Sequence, residues 1–525
     1  MKSLLKSGII VFSIFLFMAL TGCSVAKQAA NNKNEQQSQG QGATAEAKTE
    51  SRKLVVDLAN ESANLDPGLQ YNFDSYAVYR NIFDNLIHRD PKTNSFVPWV
   101  AESWKQDSPT EWTFKLRSDI KFHNGDPLTA EDAAFSIQRI LDKEFRSPQF
   151  ANFNMIASAK AEGNDLKITT NGPSPTLLTQ LVNLSIVPQK YVKEKGNDQF
   201  NLNPVGSGAY QFDSWAKGTQ ISLKANASYW GGKPEIPAIE YRFVPNPASR
   251  VADLQSGKAD FVSAISPDDV ENIKSKSDLQ VFSTPTERVA YLAFNMATDT
   301  PTKSSKVNQA IAYGINYESL ITSLLHGFGK PVTQVLTPLS FGYDPSISGY
   351  SYNPEKAKAL LSEAGYASGL TLDFATSPSF DQRIVQAIQG DLDKIGIKVN
   401  IASTDHATYL KKVQDPARKW GNIRMGIWSC ACMDADGTIL PLFRTGTIWS
   451  SYSNPAFDQA VDAARATTDE AVRKDNYKKA FNVLQQDVPG IGLYQAYALY
   501  GASKKLQWQP DPQENFFVKD MKWIK

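Results

Sequence analysis

The sequence predicts an α/β protein of more than one domain, with sheets that helices cover on both faces. Segments with apolar residues at helical spacing alternate along the chain with short runs in which every second residue is apolar. This alternation is typical of sheets that lie between layers of helices. The chain has 525 residues, whereas a single hydrophobic core stops growing at roughly 250–300 residues. We therefore expect several lobes.

Residues 1–22 have the features of a bacterial lipoprotein signal peptide. Lys2 and Lys6 give a basic start, and the apolar run at residues 8–20 is too short for a comfortable membrane span. The run ends in Leu-Thr-Gly-Cys, which resembles a lipobox, in which the cysteine carries the lipid. We therefore expect acyl chains on Cys23 to anchor the protein to the outer face of the bacterial cell membrane. A coincidental cysteine after a short apolar helix is the alternative.

Residues 23–53 predict a disordered tether. The segment is rich in Gln, Asn, Ala, Lys and Gly, and Val25 is its only large aliphatic residue, so it cannot form a core. The folded body is therefore expected at residues 54–525. The chain carries a formal net charge of +1, which argues against nucleic acid as the main partner, because that partner requires a clustered excess of Lys and Arg.

The first part of the body contains strands, turns and a capped helix. The predicted elements are a strand at 54–58, a proline-closed turn at 60–67, a helix at 76–86, a strand at 112–117 and a tight turn at 124–125. The strand at 112–117 alternates Trp, Phe and Leu with polar residues, as half-buried strands do. Thr129 and Asp132 have the Thr-x-x-Asp spacing of a capped helix start.

The second part of the body repeats the alternation of helices and strands. The predicted elements are helices at 353–365, 384–395 and 477–484 and strands at 397–401 and 423–428. Asn353 and Pro354 are a capping residue and a first-turn proline, and Gly365 ends the same helix.

A loop at residues 428–443 crowds polar groups between two apolar runs. Within nine residues it contains an indole, two thiols and two carboxylates: Trp428, Cys430, Cys432, Asp434 and Asp436. Polar groups between segments that predict burial indicate a loop that lines a cleft. An ordinary acidic turn between two core elements is the alternative.

The two cysteines of this loop allow three interpretations. We favour small apolar fillers, because no histidine lies nearby in the sequence. A disulfide suits an exported protein, but Cα separation and side-chain direction disfavour a bridge across one residue. A thiolate pair with Asp434 could hold a soft metal ion.

Motifs along the whole body resemble those of the family 5 extracellular solute-binding proteins, the peptide- and nickel-binding receptors of ABC importers. One block combines W-T-F-K-L-R at 112–117, K-F-H-N-G at 121–125 and A-E-D-A-A-F-S at 130–136, where Ala133 replaces the Val of the family. Further matches are P-V-G-S-G-A-Y at 204–210, N-A-S-Y-W at 226–230, L-Q-S-G-K-A-D at 254–260, Y-L-A-F-N at 291–295 and P-G-I-G-L-Y at 489–494. Matches that occur in order over most of the body are more specific than any single motif.

The resemblance implies a periplasmic-binding-protein-like clamp of two lobes with an extra third lobe. It implies lobe I at residues 54–72, 201–292 and 493–525, the extra lobe II at residues 73–200 and lobe III at residues 293–492. The chain would cross between the two ligand-clamping lobes near residues 291–296 and 491–497, as a two-strand hinge.

The resemblance also implies a receptor without enzymatic activity. Such a receptor captures a short peptide or peptide-like solute and delivers it to an ABC permease. We expect it to be a monomer without a cofactor or metal. The sequence contains no G-x-S-x-G, H-E-x-x-H or Walker A motif, and its four histidines are scattered without metal-ligand spacing. The alternatives are a receptor for a metal–metallophore complex, an oligosaccharide receptor and an exported hydrolase.

The expected ligand-binding residues lie in the first turn, around the first hinge strand and in the loop. They are Ser62, Arg288, Tyr291, Arg424, Trp428, Asp434 and Asp436. Trp428 would form an apolar wall. Arg288 and Arg424 could each offer a bidentate fork to a carboxylate, and a surface ion pair is the alternative for both.

The loop departs from the peptide receptors of the family at one position. In those receptors an Asp three residues after the conserved Trp pairs with the α-amine of the ligand, and here Ala431 stands at that position. The following D-A-D-G-T-I-L-P-L-F run resembles the glutathione-binding members instead. Asp434 or Asp436 is therefore expected to reach the ammonium of a short peptide or of a γ-linked, opine-like compound.

Overall fold

The computed structural model describes residues 52–69, 72–430 and 432–524. The predicted signal peptide, Cys23 and most of the predicted tether lie outside these residues. The last two tether residues are included, and both pair with the body: Arg52 with Asp260 and Lys53 with Glu240. No helix within the described ranges is both long and apolar enough to cross a membrane.

The strands form one large sheet, one four-stranded sheet and two short ribbons. In chain order they are β1 (Leu54–Leu58), β2 (Ile87–Arg89), β3 (Phe96–Pro98), β4 (Ala101–Ser108), β5 (Glu111–Leu116), β6 (Ile156–Glu162), β7 (Asp165–Thr170), β8 (Tyr210–Ala216), β9 (Gln220–Ala225), β10 (Ala238–Phe243), β11 (Phe261–Val262), β12 (Leu279–Phe294), β13 (Gly329–Pro331), β14 (Leu370–Thr376), β15 (Ile397–Ser403), β16 (Ile423–Trp428), β17 (Gly490–Ser503), β18 (Leu506–Gln507) and β19 (Lys522–Trp523). The large sheet has the order β15-β14-β16-β12-β17-β11-β1-β10-β9-β8, and β13 also pairs with β17. The four-stranded sheet has the order β4-β5-β7-β6, and the ribbons are β2-β3 and β18-β19.

Helices connect the strands of each sheet. In chain order they are α1 (Phe73–Ile82), α2 (Ala130–Leu141), α3 (Phe150–Phe153), α4 (Leu177–Leu181), α5 (Gln189–Lys195), α6 (Asn197–Leu202), α7 (Pro247–Gln255), α8 (Val270–Lys274), α9 (Ser305–Gly314), α10 (Tyr317–Ser319), α11 (Pro354–Glu363), α12 (Gln382–Asp393), α13 (His406–Gln414), α14 (Asp436–Phe443), α15 (Pro455–Arg465) and α16 (Glu470–Asp487). This arrangement confirms the α/β class and the alternation that the sequence predicts.

Local signals set several of these elements as the sequence predicts. In β5, Trp112, Phe114 and Leu116 are buried while the residues between them are not. At the start of α2, the Thr129 side chain accepts a hydrogen bond from the backbone N–H of Asp132, whose carboxylate accepts one from the N–H of Thr129. β1, β15, β16, α11, α12 and α16 coincide with predicted elements within a few residues, although α16 begins earlier than predicted.

The apolar side chains divide into lobes with separate cores. Buried residues between Leu86 and Ile186 form the core of the extra lobe II. The core of lobe I contains residues of α1, such as Tyr79, and also Phe200 of α6, in one buried cluster with residues of β1 and β10. The bounds of lobe II at residues 73–200 stay a prediction. Buried residues from Val289 onward, up to β17, form two clusters in lobe III.

Two long strands, β12 and β17, run from lobe I into lobe III. The first half of β12 pairs with the second half of β17, and from Val289 onward β12 lies between β17 and β16. The pairing is interrupted between Pro285 and Val289, where four steps along β12 match two steps along β17. Such a bulge changes the direction in which side chains point. The irregular residues lie just before the first predicted crossing at 291–296.

Candidate ligand-binding cleft

A cleft of about 970 Å³ lies where lobe III faces α1 and lobe II. One wall consists of α1 and of the segments around α3 and α4, at residues 151–155 and 173–183. The opposite wall consists of the loop after β16, the start of α14 and Arg465. The bulge of β12 closes one end with Glu287 and Arg288. A volume near 1,000 Å³ is at the upper end of ordinary small-molecule sites, about 300–1,000 Å³.

The bulge explains why two adjacent residues of one strand both line the cleft. In a regular strand, neighbouring side chains point to opposite faces. Here Thr286 turns away, because its Oγ1 donates to the carbonyl oxygen of Ala496 at 2.8 Å and its own carbonyl oxygen accepts from Gln495 Nε2 at 2.7 Å. Glu287 and Arg288 are both free to face the ligand space as a result.

Glu287 is a carboxylate with unsatisfied hydrogen-bonding capacity. Its Oε2 atom is buried and has no hydrogen-bond partner among the described residues. Burial, followed by the nearby charge of Glu514, raises the pKa of Glu287 to about 7. Arg288 cannot compensate it fully, because its guanidinium pairs with Glu514 at 2.6 Å. An ammonium group in the cleft would supply the missing donor.

Arg80 is the cation of the α1 wall, which faces the loop after β16. It is 6% exposed, its Nη2 donates to Asn183 Oδ1 at 2.8 Å, and its guanidinium lies 4.3 Å from the centre of the Tyr76 ring. It also donates to Asn515. Within the described part of the chain, no carboxylate forms an ion pair with Arg80, so its charge is available to an anionic group of a ligand.

The two acids of the loop have different environments. Asp434 is 2% exposed and does not line the cleft, because it accepts hydrogen bonds from Arg473 at 2.8 and 2.9 Å and from the Tyr477 hydroxyl at 3.1 Å. Asp436 lines the cleft, and burial raises its pKa to about 6. Arg465 Nε lies 2.9 Å from Asp436 Oδ1 but is misaligned for a hydrogen bond, so that oxygen has none among the described residues.

Trp428 forms part of the same wall. Its Nε1 donates to the carbonyl oxygen of Gly437 at 2.9 Å, and its ring meets the edge of Trp449 with centroids 5.6 Å apart. The indole is therefore held in place before a ligand arrives and presents an apolar surface to the cleft.

Cys430 and Cys432 are joined by a disulfide with an S–S distance of 1.98 Å. Our preference for unbridged apolar fillers is therefore wrong, and so is a thiolate pair for a soft metal. The loop brings the two Cα atoms to 5.0 Å, which lies inside the usual range of disulfides. The described residues contain no group of three or more His, Cys, Asp or Glu that could hold a metal ion.

Four of the expected ligand-binding residues lie outside the cleft lining. Ser62 is 1% exposed and donates to the carbonyl oxygen of Asp74 at 2.8 Å. Tyr291 and Arg424 are buried against each other, with Arg424 Nη1 donating to the Tyr291 hydroxyl at 2.8 Å. Asp434 is the fourth. The structure thus brings together Arg288, Trp428 and Asp436, and Ala431 lies outside the described residues.

The sequence interpretation missed three charged residues of the cleft: Arg80, Glu287 and Arg465. Arg80 is a charged residue in a mostly apolar helical segment. Such a residue usually marks the exposed side of a helix, so the sequence did not indicate a residue of the cleft. Glu287 directly precedes the residue that we selected, and only the bulge brings it to the same side. Arg465 ends α15, 22 residues after the end of the loop, and no pattern in the sequence connects the two.

Comparison with known proteins adds the family context. The family model for bacterial extracellular solute-binding proteins, family 5 (middle region), matches residues 95–450. The chain is 27% identical to the dipeptide-binding protein of Escherichia coli K12, over 85% of this chain and 90% of that protein. It is 29% identical to the heme-binding protein A of Haemophilus influenzae, with 86% and 88% covered, and 28% identical to the glutathione-binding protein GsiB of Shigella boydii, with 86% and 91% covered.

A solved structure with the same fold is the ABC transporter-associated periplasmic binding protein DppA from Helicobacter pylori in complex with the peptide STSA. The two structures superpose with a TM-score of 0.75 at 25% sequence identity, over 90% of this chain and 98% of the other. This match supports the clamp with an extra lobe that the sequence predicts.

Proposed function

The chain belongs to the bacterial extracellular solute-binding proteins of family 5, and on this basis we propose that it is the lipid-anchored receptor of an ABC importer for short peptides or peptide-like zwitterions. The receptor captures the solute between its lobes and delivers it to the permease. Cys23 would carry the lipid. The relatives named above bind a dipeptide, heme and glutathione by their names, so the ligand class has to be argued from the cleft.

The charge pattern of the cleft carries the proposal. Glu287 and Asp436 each have a buried carboxylate oxygen without a hydrogen bond, and Arg80 is a buried guanidinium without a carboxylate partner among the described residues. Buried charges whose hydrogen bonds are incomplete are costly, and the ion pair of Asp436 with Arg465 does not complete those of Asp436. Each of the three groups therefore favours a ligand group of opposite charge. A solute with an ammonium and a carboxylate satisfies both signs at once.

The ligand ammonium is assigned to Glu287 and Asp436 rather than to Asp434. Asp434 is already neutralised by Arg473, and no part of it lines the cleft. The ligand carboxylate is assigned to Arg80, with Arg288 as a second donor that it shares with Glu514. This revises the expectation that Asp434 or Arg424 contacts the solute.

Closure of the lobes around β12 and β17 would bury the solute. Two hydrogen bonds already connect the β2–β3 hairpin of lobe II with lobe III: Arg89 Nη2 donates to the carbonyl oxygen of Cys432 at 3.2 Å, and Asn94 Nδ2 donates to that of Leu339 at 2.9 Å. Both would break when the lobes separate. A ligand that contacts both walls binds the closed state more tightly than the open state. It therefore shifts the equilibrium toward closure by the difference between the two affinities.

Isothermal titration calorimetry with matched ligands tests the proposed ligand class. Dipeptides, tripeptides and glutathione are each compared with their N-acetylated forms, beside an oligosaccharide panel and nickel–histidine complexes. We expect free-amine peptides to bind and acetylation to weaken binding at least tenfold. Equal binding of free and acetylated forms, or binding of sugars or metal complexes alone, would contradict the proposal and favour one of the alternative receptors.

A further inference from the structure

The Cys430–Cys432 disulfide lies in the wall of the cleft. Both cysteines contribute to the lining, where Cys430 is half-buried and Cys432 is 2% exposed. Cys430 is thus the more exposed of the two cysteines. Trp428 precedes the bridge and Asp436 follows it on the same wall.

The bridge contributes little to holding the fold together. It closes a loop with a sequence separation of 2, and a disulfide stabilises a protein less as the loop it closes becomes shorter. The neighbouring loop residues are also fixed by other contacts, such as the ion pair of Asp434 with Arg473. A structural role therefore does not explain why a disulfide stands at this position.

The surroundings of the two sulfurs are shaped to fit them. Gly437 lies against both, since a Cβ atom there would be 2.2 Å from Cys430 Sγ and 2.4 Å from Cys432 Sγ. The backbone N–H of Cys432 donates to Cys430 Sγ at 3.3 Å, and Cys432 Sγ lies 3.7 Å from the carbonyl oxygen of Asp434. That carbonyl can accept a hydrogen bond from a Cys432 thiol when the bridge opens.

We propose that this disulfide is a reversible covalent capture site for thiol-bearing solutes, such as peptides that contain cysteine. The proposal rests on the function proposed above and adds a chemical preference within the same cleft. Asp436 directly precedes Gly437, which lies against both sulfurs, and would hold an ammonium on the same wall as the reacting thiol.

The exchange is balanced without an external oxidant or reductant. The ligand thiolate attacks Cys430 Sγ, a new S–S bond forms, and the bond to Cys432 breaks. Cys432 leaves as a thiolate and takes up a proton, equivalent to the one that the ligand thiol lost, so that its S–H donates to the Asp434 carbonyl. The product is a mixed disulfide on Cys430 that contains all atoms of the ligand.

Release follows the same path in reverse. The Cys432 thiolate lies within the same short loop as the mixed disulfide, so its effective concentration at Cys430 is high. Its attack on Cys430 Sγ restores the original bridge and frees the ligand as a thiol. Covalent capture is thus compatible with delivery to a permease.

Mass spectrometry tests the proposal. The full chain with Cys23→Ser, which leaves Cys430 and Cys432 as its only cysteines, is incubated with reduced glutathione or Cys-Gly, quenched with N-ethylmaleimide, and analysed intact without reduction. S-methylglutathione serves as the matched ligand that cannot exchange. We expect an adduct with the mass of one thiol ligand plus one maleimide, with the ligand mapped to Cys430 and the maleimide to Cys432.

A variant and a binding assay separate this inference from the proposed function. Cys432→Ser cannot re-form the bridge, so oxidised glutathione should leave a lasting adduct on its Cys430. Cys430→Ser should form little adduct, because its remaining Cys432 is 2% exposed. If S-methylglutathione and glutathione bind with equal affinity and no adduct forms, the inference is overturned while the proposed function stands. An adduct without measurable binding of S-methylglutathione would support capture and contradict the proposed zwitterion site. The absence of both overturns both.

Discussion

Replacing Glu287 with Gln should stabilise the ligand-free protein. Burial raises the pKa of this carboxyl group from 4.5 to about 7, so keeping it ionised in the folded state costs about 3 kcal/mol. Because the pKa in the folded state is the higher one, this cost is absent below pH 4.5 and complete above pH 7. Glu287→Gln removes it, and we expect a gain of up to about 3 kcal/mol in the free energy of unfolding at pH 8, and none at pH 4.

The same substitution should weaken the binding of ligands that have a free amine. Loss of a buried charge pair typically costs roughly 2–5 kcal/mol, which corresponds to a Kd increase of about 30-fold to several thousand-fold. In the unsubstituted protein, affinity should also fall about tenfold between pH 8 and pH 6, because Glu287 must be deprotonated to accept the ammonium. Glu287→Gln should remove most of this pH dependence.

Urea denaturation at pH 8 and pH 4 measures the effect on stability. Calorimetry at pH 8 and pH 6 measures the effect on ligand affinity. Glu271→Gln is the matched control, since its side chain is 85% exposed, and it should change neither stability nor affinity measurably. The reasoning would be refuted if Glu287→Gln bound free-amine peptides as tightly as the unsubstituted protein and showed no gain in stability at pH 8.

The other predictions concern anchoring, the buried acid and closure. Cys23→Ala should move the protein from the membrane fraction to the medium, whereas Cys432→Ala should not, and membrane-bound Cys23→Ala would contradict the lipid anchor. Asp434→Asn should lower the free energy of unfolding by roughly 3–5 kcal/mol, because it leaves Arg473 buried without a carboxylate. The same substitution should change ligand affinity little. Lost affinity with unchanged stability would place Asp434 in the ligand site. Small-angle X-ray scattering should show a more compact particle with bound ligand, and identical profiles at saturation would argue against a clamp.

Much of the fold could be predicted because local signals in this chain agree with the tertiary contacts. The capping box at Thr129 and Asp132, the alternation in β5 and the cap of α11 depend only on residues a few positions apart. The core that α1 joins could not be predicted from local signals, because a helix with an apolar face can pack in either lobe. The helix shares a buried cluster with β1 and with the distant β10, which only the folded structure shows.

The cleft was predicted less completely, because its charges depend on irregular backbone and on distant partners. The bulge of β12 exists only through its register with β17, so the sequence did not indicate that Glu287 faces the ligand space. The positions of Asp434 and Asp436 in the loop do not tell which of the two carboxylates lines the cleft. The turn at Met433, with φ of 50°, and the ion pair with Arg473 direct Asp434 inward, and neither feature could be read from the loop alone.

The native mass spectrum of the protein purified from its host, with any retained solute, tests the central claim most directly. The claim is that the cleft selects a small zwitterion through Glu287, Asp436 and Arg80. We predict a retained species with the mass of a short peptide or peptide-like compound, lost from Glu287→Gln and kept by Glu271→Gln. A retained oligosaccharide or metal complex, or a zwitterion retained equally by Glu287→Gln, would contradict the claim.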